Sequence, residues 1–116
     1  MLLWEWEKIQ EMLLRQKLMK LKIGAVKFEV IEKAGLKSGK VLLNGHIIYN
    51  DQNILIDEKL KPDGKKITIL HEILHGIIGH AGGTHKERQI EMMANGLHQV
   101  FMENKKEMKE ILWGEK

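Results

Sequence analysis

Residues 67–97 read ITILHEILHGIIGHAGGTHKERQIEMMANGL and hold four of the six histidines of the chain. Before the AGG triplet, apolar side chains recur at helical spacing, which predicts a helix from about residue 65 to residue 79. Pro62 suits the first turn of this helix, where a backbone N–H is not needed. After the triplet, Thr84 and Glu87 have the spacing of a capping box, so a second helix is expected to begin at Thr84 and to run close to the C-terminus. The glycine break lets the two helices lie antiparallel.

The residues upstream of this helix pair predict one more helix and a small sheet. Apolar side chains recur at helical spacing over residues 2–20, and Gly24 is expected to end that N-terminal helix. VKFEVIE at residues 26–32 alternates and is rich in β-branched side chains, which predicts a strand. Residues 40–50 and 53–60 predict two further strands joined by a polar turn. The expected fold is α+β, with an N-terminal helix, a small antiparallel β-meander, and two helices packed on one face of the sheet.

The bulk composition fits one globular domain over residues 1–116. Of these 116 residues, 43% are hydrophobic and 30% are charged, which is an ordinary balance. Because cysteine is absent, a disulfide framework is excluded and any metal must be held by histidine and carboxylate side chains. Neither a signal peptide nor an apolar run of about 20 residues is found, so a soluble intracellular protein with no membrane partner is expected.

The chain is weakly basic, with a formal net charge of +3. Lysine and arginine cluster around residues 15–27 and again around residues 61–66, and such clusters can bind nucleic acid. No aromatic side chains are interleaved to stack on bases, and lysine clusters of this density are typical of a solvated face, so a nucleic-acid partner is disfavoured. Trp4 and Trp6 give the N-terminal helix an apolar surface that could support a homodimer or bind a partner chain.

The strongest chemical signal is the His-Glu-x-x-His pattern formed by His71, Glu72 and His75. A spacing of four residues places both imidazoles one turn apart on one face of a helix. Two imidazoles held in this way can share one zinc ion at Zn–N distances of about 2.0–2.1 Å. The carboxylate of Glu72 lies between them in sequence and is within reach of a water molecule activated by the metal, which is the role of a general base.

A catalytic zinc usually takes three protein ligands, and four residues are candidates for the third. Glu91 ranks first because it lies on the returning helix among apolar neighbours, where a charged side chain needs a partner. His80 ranks second and would require the first helix to bend or end after His75. His85 ranks third because it is expected to be exposed. Glu87 is assigned to the capping box instead.

Further polar residues are candidates for supporting roles around this site. Asn95 follows Glu91 by one turn and could orient a ligand histidine through its other ring nitrogen. His98 lies two turns after Glu91 and could do the same or could simply pack. His46 and Tyr49 lie on a predicted strand, where either could polarise a substrate carbonyl. An edge strand beside the cleft could also bind a peptide by strand addition.

At this point the chain resembles a known family. TILHEILHGI, a glycine-containing turn and IEMMANGLHQVFMEN, preceded by the strand–turn–strand GHIIYNDQNILIDEKL, are similar to the small phage and prophage zinc metallopeptidases of the ImmA/IrrE kind. The resemblance covers about residues 23–104, which leaves residues 1–22 as an addition to a minimal zincin-like domain. It implies Zn²⁺ held by His71, His75 and Glu91, with Glu72 as general base. It also implies a protein or peptide substrate, such as a phage regulator, in the cytoplasm of a bacterial host.

Two other functions remain open at the level of sequence. One is a metal-bound module that binds a partner without catalysis, which a closed four-ligand site with His80 or His85 would favour. The other is a protease recruited to DNA by its basic clusters, which binding that weakens steeply with salt would favour.

Overall fold

The computed structural model describes residues 2–7, 15–80, 82–83 and 86–115, and within them the fold is α+β, as expected. The strands are β1 (Arg15–Ile23), β2 (Val26–Lys33), β3 (Lys37–Ser38), β4 (Val41–Leu42), β5 (Gly45–Ile48) and β6 (Asn53–Asp57). The long helices are α1 (Pro62–His80), α2 (Glu87–Glu103) and α3 (Lys105–Trp113). Residues 3–7 are also helical. None of the helices among these residues is long and apolar enough to cross a membrane.

Strand β1 occupies part of the segment for which a helix was predicted. Residues 3–7 are helical, residues 8–14 lie outside the described residues, and β1 pairs antiparallel with β2 along its length. The turn between the strands uses Gly24 at a φ of +61°, a conformation that suits a tight hairpin. Gly24 therefore closes a hairpin rather than ending a helix. The hairpin is favoured because it places Ile23, which is 6% exposed, in the core of the sheet.

The main sheet is mixed, with the strand order β1-β2-β6-β5. β1 and β2 are antiparallel, as are β5 and β6, but β2 and β6 are parallel. The expected antiparallel meander is therefore wrong at its centre. The physical reason lies in β6, whose Ile54, Leu55 and Ile56 are all buried. A strand that is apolar on both faces belongs inside a sheet, so β6 lies between β2 and β5 and leaves β5 at the edge.

Helix α1 is packed between the sheet and α2. Ile69 and Ile73 contact the core cluster on the sheet. A second set of apolar side chains packs against Ile90 and Ala94 of α2, namely Ile67, Leu70, Leu74 and Ile78. The single apolar stripe predicted for this helix thus divides between two partners.

The C-terminal helix predicted to start at Thr84 is divided at Asn104 into α2 and α3. α2 runs antiparallel to α1, since Glu87 at the start of α2 contacts His71 in the middle of α1, and Met102 near the end of α2 approaches Lys66 near the start of α1. Large apolar side chains remain exposed near both termini, at Leu2, Leu3, Trp4, Trp6, Ile111, Leu112 and Trp113.

Candidate metal centre

Helix α1 and strand β5 lie side by side and run in the same direction. A Cβ atom on Gly45, at the start of β5, would lie 2.5 Å from Cγ2 of Thr68. Further along, a Cβ atom on Gly79 would lie 2.6 Å from the hydroxyl oxygen of Tyr49. Two residues of a strand span about 6.7 Å and four residues of a helix span about 6 Å. Every second residue of β5 therefore lies near every fourth residue of α1. The glycines therefore set how closely the sheet edge approaches the helix that carries the HExxH residues.

His71 and His75 lie one turn apart on α1 with their ring nitrogens converging. The two Nε2 atoms are 3.0 Å apart, and the ring centroids are 4.7 Å apart. The prediction that both rings lie on one face of a helix is confirmed. Together with Glu72, the two residues form a group whose available ligand atoms lie within 4.8 Å of one another, so the group could hold a metal ion.

The carboxylate of Glu87 lies against both histidines. Its Oε1 atom is 2.5 Å from Nε2 of His71, and its Oε2 atom is 3.0 Å from Nε2 of His75. Burial tends to raise the pKa of Glu87, but hydrogen bonds and charge from the two histidines outweigh it and lower that pKa. The expected capping box is wrong, because α2 begins at Glu87 itself, with Lys86 as its N-cap residue and no side-chain capping bond there. Thr84 lies outside the described residues.

The carboxylate of Glu72 lies on the sheet-facing side of α1, next to the histidine pair. The residue is only 5% exposed, and its carboxylate accepts a hydrogen bond from the backbone N–H of Ile47 in β5. Burial raises the pKa of Glu72 from its ordinary value of 4.5 to about 7, the negative charge of Glu87 adds to the rise, and the Ile47 N–H opposes it. A carboxyl group with this pKa can accept and release a proton near neutral pH.

Glu91 and Asn95 line the same cleft as His71, one and two turns along α2 from Glu87. Glu91 is exposed rather than packed among apolar neighbours, so the argument from a buried charge does not hold for it. Its role as a metal ligand stays a prediction. The side-chain amide of Asn95 donates to the backbone carbonyl of Glu91 at 2.8 Å, which uses it within α2 instead of on a histidine ring.

His80 and His98 lie apart from this cleft. The ring of His80 covers the β1–β2 turn, where a Cβ atom on Gly24 would lie 2.5 Å from two of its atoms. Nε2 of His98 is 3.5 Å from a carboxylate oxygen of Asp63 across the interface of α1 and α2, and it makes no hydrogen bond among the described residues. Of the two roles considered for His98, its position away from the cleft favours packing. His85 lies outside the described residues.

His46 and Tyr49, the two candidates on a predicted strand, are not placed where they could polarise a substrate carbonyl in the cleft. His46 is exposed on β5 and points to the sheet face opposite α1, because both of its neighbours in the strand face the helix. The hydroxyl of Tyr49 donates to the backbone carbonyl of His75 at 3.1 Å, and its ring packs edge-on against Phe28 at 6.2 Å. Tyr49 thus holds α1 in place and does not project into the cleft.

The cleft containing these groups has a volume of about 440 Å³. It is bounded by α1, by α2 and by the chain leading into β5. Its lining includes His71, the carboxylates of Glu72, Glu87 and Glu91, and leucine and isoleucine side chains. This arrangement brings a group that could hold a metal ion and a buried carboxyl group to one open cleft.

Two features of this site could not be predicted from the sequence: which glutamate contacts the histidines, and the hydrogen bond from the Ile47 N–H to Glu72. Glu87 and Glu91 are four residues apart and share one face of α2, so the spacing keeps both as ligand candidates without choosing between them. The donor at Ile47 is a backbone N–H group. Because almost every residue has one, the residue type does not reveal this contact.

Compared with family models, with curated proteins and with solved structures, the chain gives no significant match. The resemblance to the ImmA/IrrE kind stays a prediction, so the function must be inferred from the residues and their geometry.

Proposed function

We propose that this protein is a zinc-dependent endopeptidase similar to the ImmA/IrrE kind. His71, His75 and a glutamate carboxylate would hold the zinc ion, and Glu72 would act as general base. The observation that carries the proposal is the contact of Glu87 with both histidines, with the buried carboxyl group of Glu72 beside them in an open cleft.

The distances between the candidate ligand atoms support a zinc site. Around a tetrahedral zinc with bonds of about 2.0–2.1 Å, neighbouring ligand atoms are about 3.3 Å apart. The contacts of His71, His75 and Glu87 measure 2.5, 3.0 and 3.0 Å. Small outward shifts of these side chains are enough to seat the ion. Glu87 is therefore the favoured third ligand, with Glu91 in the same cleft as the alternative.

The buried carboxyl group would carry the proton transfer. When bound, zinc supplies Lewis-acid activation of water and of the scissile carbonyl. The Glu72 carboxylate takes a proton from the attacking water and delivers it to the amide nitrogen as the C–N bond breaks. A cation nearby lowers the pKa of Glu72, which keeps it in the basic form at neutral pH.

The edge of the sheet offers a place for the substrate backbone. Asp57 N–H donates to the carbonyl of Asn44 at 2.8 Å, so by alternation the polar groups of Gly45 and Ile47 point away from β6. The N–H of Ile47 already contacts Glu72. A peptide lying along this edge would therefore pass the proposed general base.

The test is peptide hydrolysis by the zinc-loaded wild type and by Glu72→Gln, with the metal content of both measured by elemental analysis. We expect about one zinc per chain in each protein and a loss of activity of about 100-fold or more in the variant. Full activity of a zinc-loaded Glu72→Gln protein would show that the mechanism is wrong.

A second function is favoured by the number of ligands in the cleft. His71, Glu87 and Glu91 line the same cleft, and His75 contacts the Glu87 carboxylate. Four ligands can close a tetrahedral zinc site and leave no position for water, which describes a structural site in a binding module. Zinc retention that requires both glutamates, combined with no hydrolysis, would support this function over the peptidase.

Recruitment to DNA receives less support from the surface. Lys17 pairs with Glu29 at 3.3 Å, and Lys65 pairs with Glu32 at 2.5 Å. These pairs place a carboxylate beside a lysine in each basic cluster, which reduces the positive field available to phosphates.

A further inference from the structure

The cleft extends well beyond the candidate metal ligands, along the N-terminal half of α1. Ile67 and Gly64 line it together with His71. They precede His71 by four and seven residues, which is about 6 and 10 Å along the helix axis. The cleft is therefore long enough to take substrate side chains on one side of a scissile bond.

This far end of the cleft is apolar and preformed. Leu43, Leu60 and Ile67 each line it and are partly buried. Each packs against a different core cluster: Leu43 against the outer face of the sheet, Leu60 against the inner face, and Ile67 against α2. The core contacts of these three side chains thus hold their exposed surfaces in place. Among the described residues, no lysine or arginine lines the cleft.

Leu42 completes the apolar end from the β3–β4 hairpin. It lines the cleft while remaining 68% exposed. An apolar side chain of a bound peptide could cover this surface, and burial of such surface is favourable.

An extended peptide along the edge of β5 would bring its side chains to this end. Successive residues of a strand advance about 3.3 Å and alternate in direction. A side chain two or three residues from the scissile bond therefore reaches the segment between His71 and Gly64.

We infer that this end of the cleft is a specificity subsite for a large aliphatic or aromatic side chain of the peptide substrate. The inference rests on the proposed peptidase function and names the substrate class of that same site. The preference should be confined to one position, within three residues of the scissile bond and on one side of it. Filling such a pocket changes kcat/KM by about tenfold to a hundredfold.

The β3–β4 hairpin provides a matched pair of variants for the test. Val41 and Leu42 are neighbours in β4 and are similarly exposed, at 64% and 68%. Of these two residues, Leu42 lines the cleft and Val41 does not. Leu42→Ser and Val41→Ser therefore remove similar exposed apolar surface, and neither side chain belongs to the buried core.

The experiment digests a peptide library made from a denatured cell proteome with the zinc-loaded full-length protein and reads the cleavage sites by mass spectrometry. For the wild type we expect enrichment of Leu, Ile, Met and Phe at one position near the cleaved bond. Leu42→Ser should weaken that enrichment about tenfold, and Val41→Ser should keep it. Leu42→Asp should shift the preference at the same position towards Lys and Arg, an effect that a loss of stability does not produce.

The outcomes separate the subsite from the peptidase itself. Cleavage by the wild type without apolar enrichment, or with the same enrichment in Leu42→Ser and Leu42→Asp, overturns the subsite and leaves the proposed function intact. If the wild type cleaves no more than Glu72→Gln, the proposed function is overturned and the subsite with it.

Discussion

Oε1 of Glu87 lies 2.5 Å from Nε2 of His71. This contact joins the first residue of α2 to the middle of α1, and the second oxygen of the same carboxylate reaches His75 at 3.0 Å. One side chain thus links the candidate metal ligands to the packing of the two helices. Metal binding and helix packing should therefore be coupled.

The identity of the third ligand is tested by comparing Glu87→Ala with Glu91→Ala. Loss of a residue that only orients a ligand weakens metal affinity by about 10–100-fold, and loss of a ligand itself should cost at least that much. We expect zinc affinity, measured by competition with a chromophoric chelator, to fall about 100-fold or more in Glu87→Ala and less than about threefold in Glu91→Ala. The reverse pattern would restore Glu91 as the ligand.

Removal of metal should lower the stability of the fold. A ligand at 100 times its dissociation constant adds about 2.7 kcal/mol to the free energy of unfolding. For a domain of this size, that corresponds to a rise in Tm of about 10 °C. Thermal unfolding followed by circular dichroism should show this shift on adding zinc and its reversal with EDTA. Glu87→Ala should respond weakly, and an unchanged Tm in the wild type would argue against a metal site.

The metal-free protein should become less stable as pH rises from about 4.5 to about 7. The pKa of Glu72 is about 7 in the folded chain and 4.5 when unperturbed. Between these values the unfolded chain loses the proton and the folded chain retains it, so the free energy of unfolding falls with rising pH. The full effect is about 3 kcal/mol and levels off above pH 7.

Urea unfolding of the EDTA-treated protein at pH 4.5 and pH 7.5 measures this loss. Glu72→Gln serves as the control, because it keeps the shape of the side chain and cannot ionise. The difference between the wild type and the variant isolates Glu72 from the histidines. Identical pH profiles for the two proteins would mean that Glu72 is not held in its neutral form by burial.

Tyr49 should act as a positioning residue for His75. Tyr49→Phe removes the hydrogen bond to the His75 carbonyl and keeps the ring against Phe28, so the free energy of unfolding should fall by about 1 kcal/mol. Zinc affinity should also fall, by a few-fold, because the histidine is less firmly placed. His46→Ala, on the opposite face of the sheet, should change neither quantity.

A double variant separates this role from general packing. In the wild type, a Cβ atom on residue 79 would lie 2.6 Å from the Tyr49 hydroxyl oxygen, whereas the nearest ring carbon is 3.3 Å away. Gly79→Ala should therefore be less destabilising when Tyr49 is already Phe. Strict additivity of the two changes would show that the close contact does not matter.

The elements that the sequence predicts well are those set by local pattern. Helix α1 follows from its apolar spacing and Pro62, and the β5–β6 hairpin follows from its two strands and polar turn. β1 was missed because its apolar residues fit a helix as well as a strand, and only pairing with β2 decides between them. The parallel contact of β2 with β6 is non-local, so no short pattern encodes it.

Within the site, too, local pattern cannot decide a non-local contact: it does not choose between Glu87 and Glu91 as the partner of the histidines. Both residues share one face of α2, so a slide of α2 by one turn along α1 exchanges them. The position along the axis depends on where α2 begins, and it begins at Glu87 rather than at Thr84. Residue spacing predicts which face a side chain occupies but does not predict how far along its partner it will lie.

The single parallel ladder between β2 and β6 also has a consequence for the order of folding. β1 with β2, and β5 with β6, are hairpins of short loop length that can form independently. The ladder that unites them pairs Glu29 with Asn53 and so closes a loop of more than twenty residues, which is a slower step. Glu72 takes its backbone hydrogen bond from one hairpin and the histidines meet a carboxylate from a later helix. Because Gly76 of α1 lies against Ile23 of the first hairpin and Ile47 of the second, the helix that carries the histidines reaches its full packing only after the two halves of the sheet have joined.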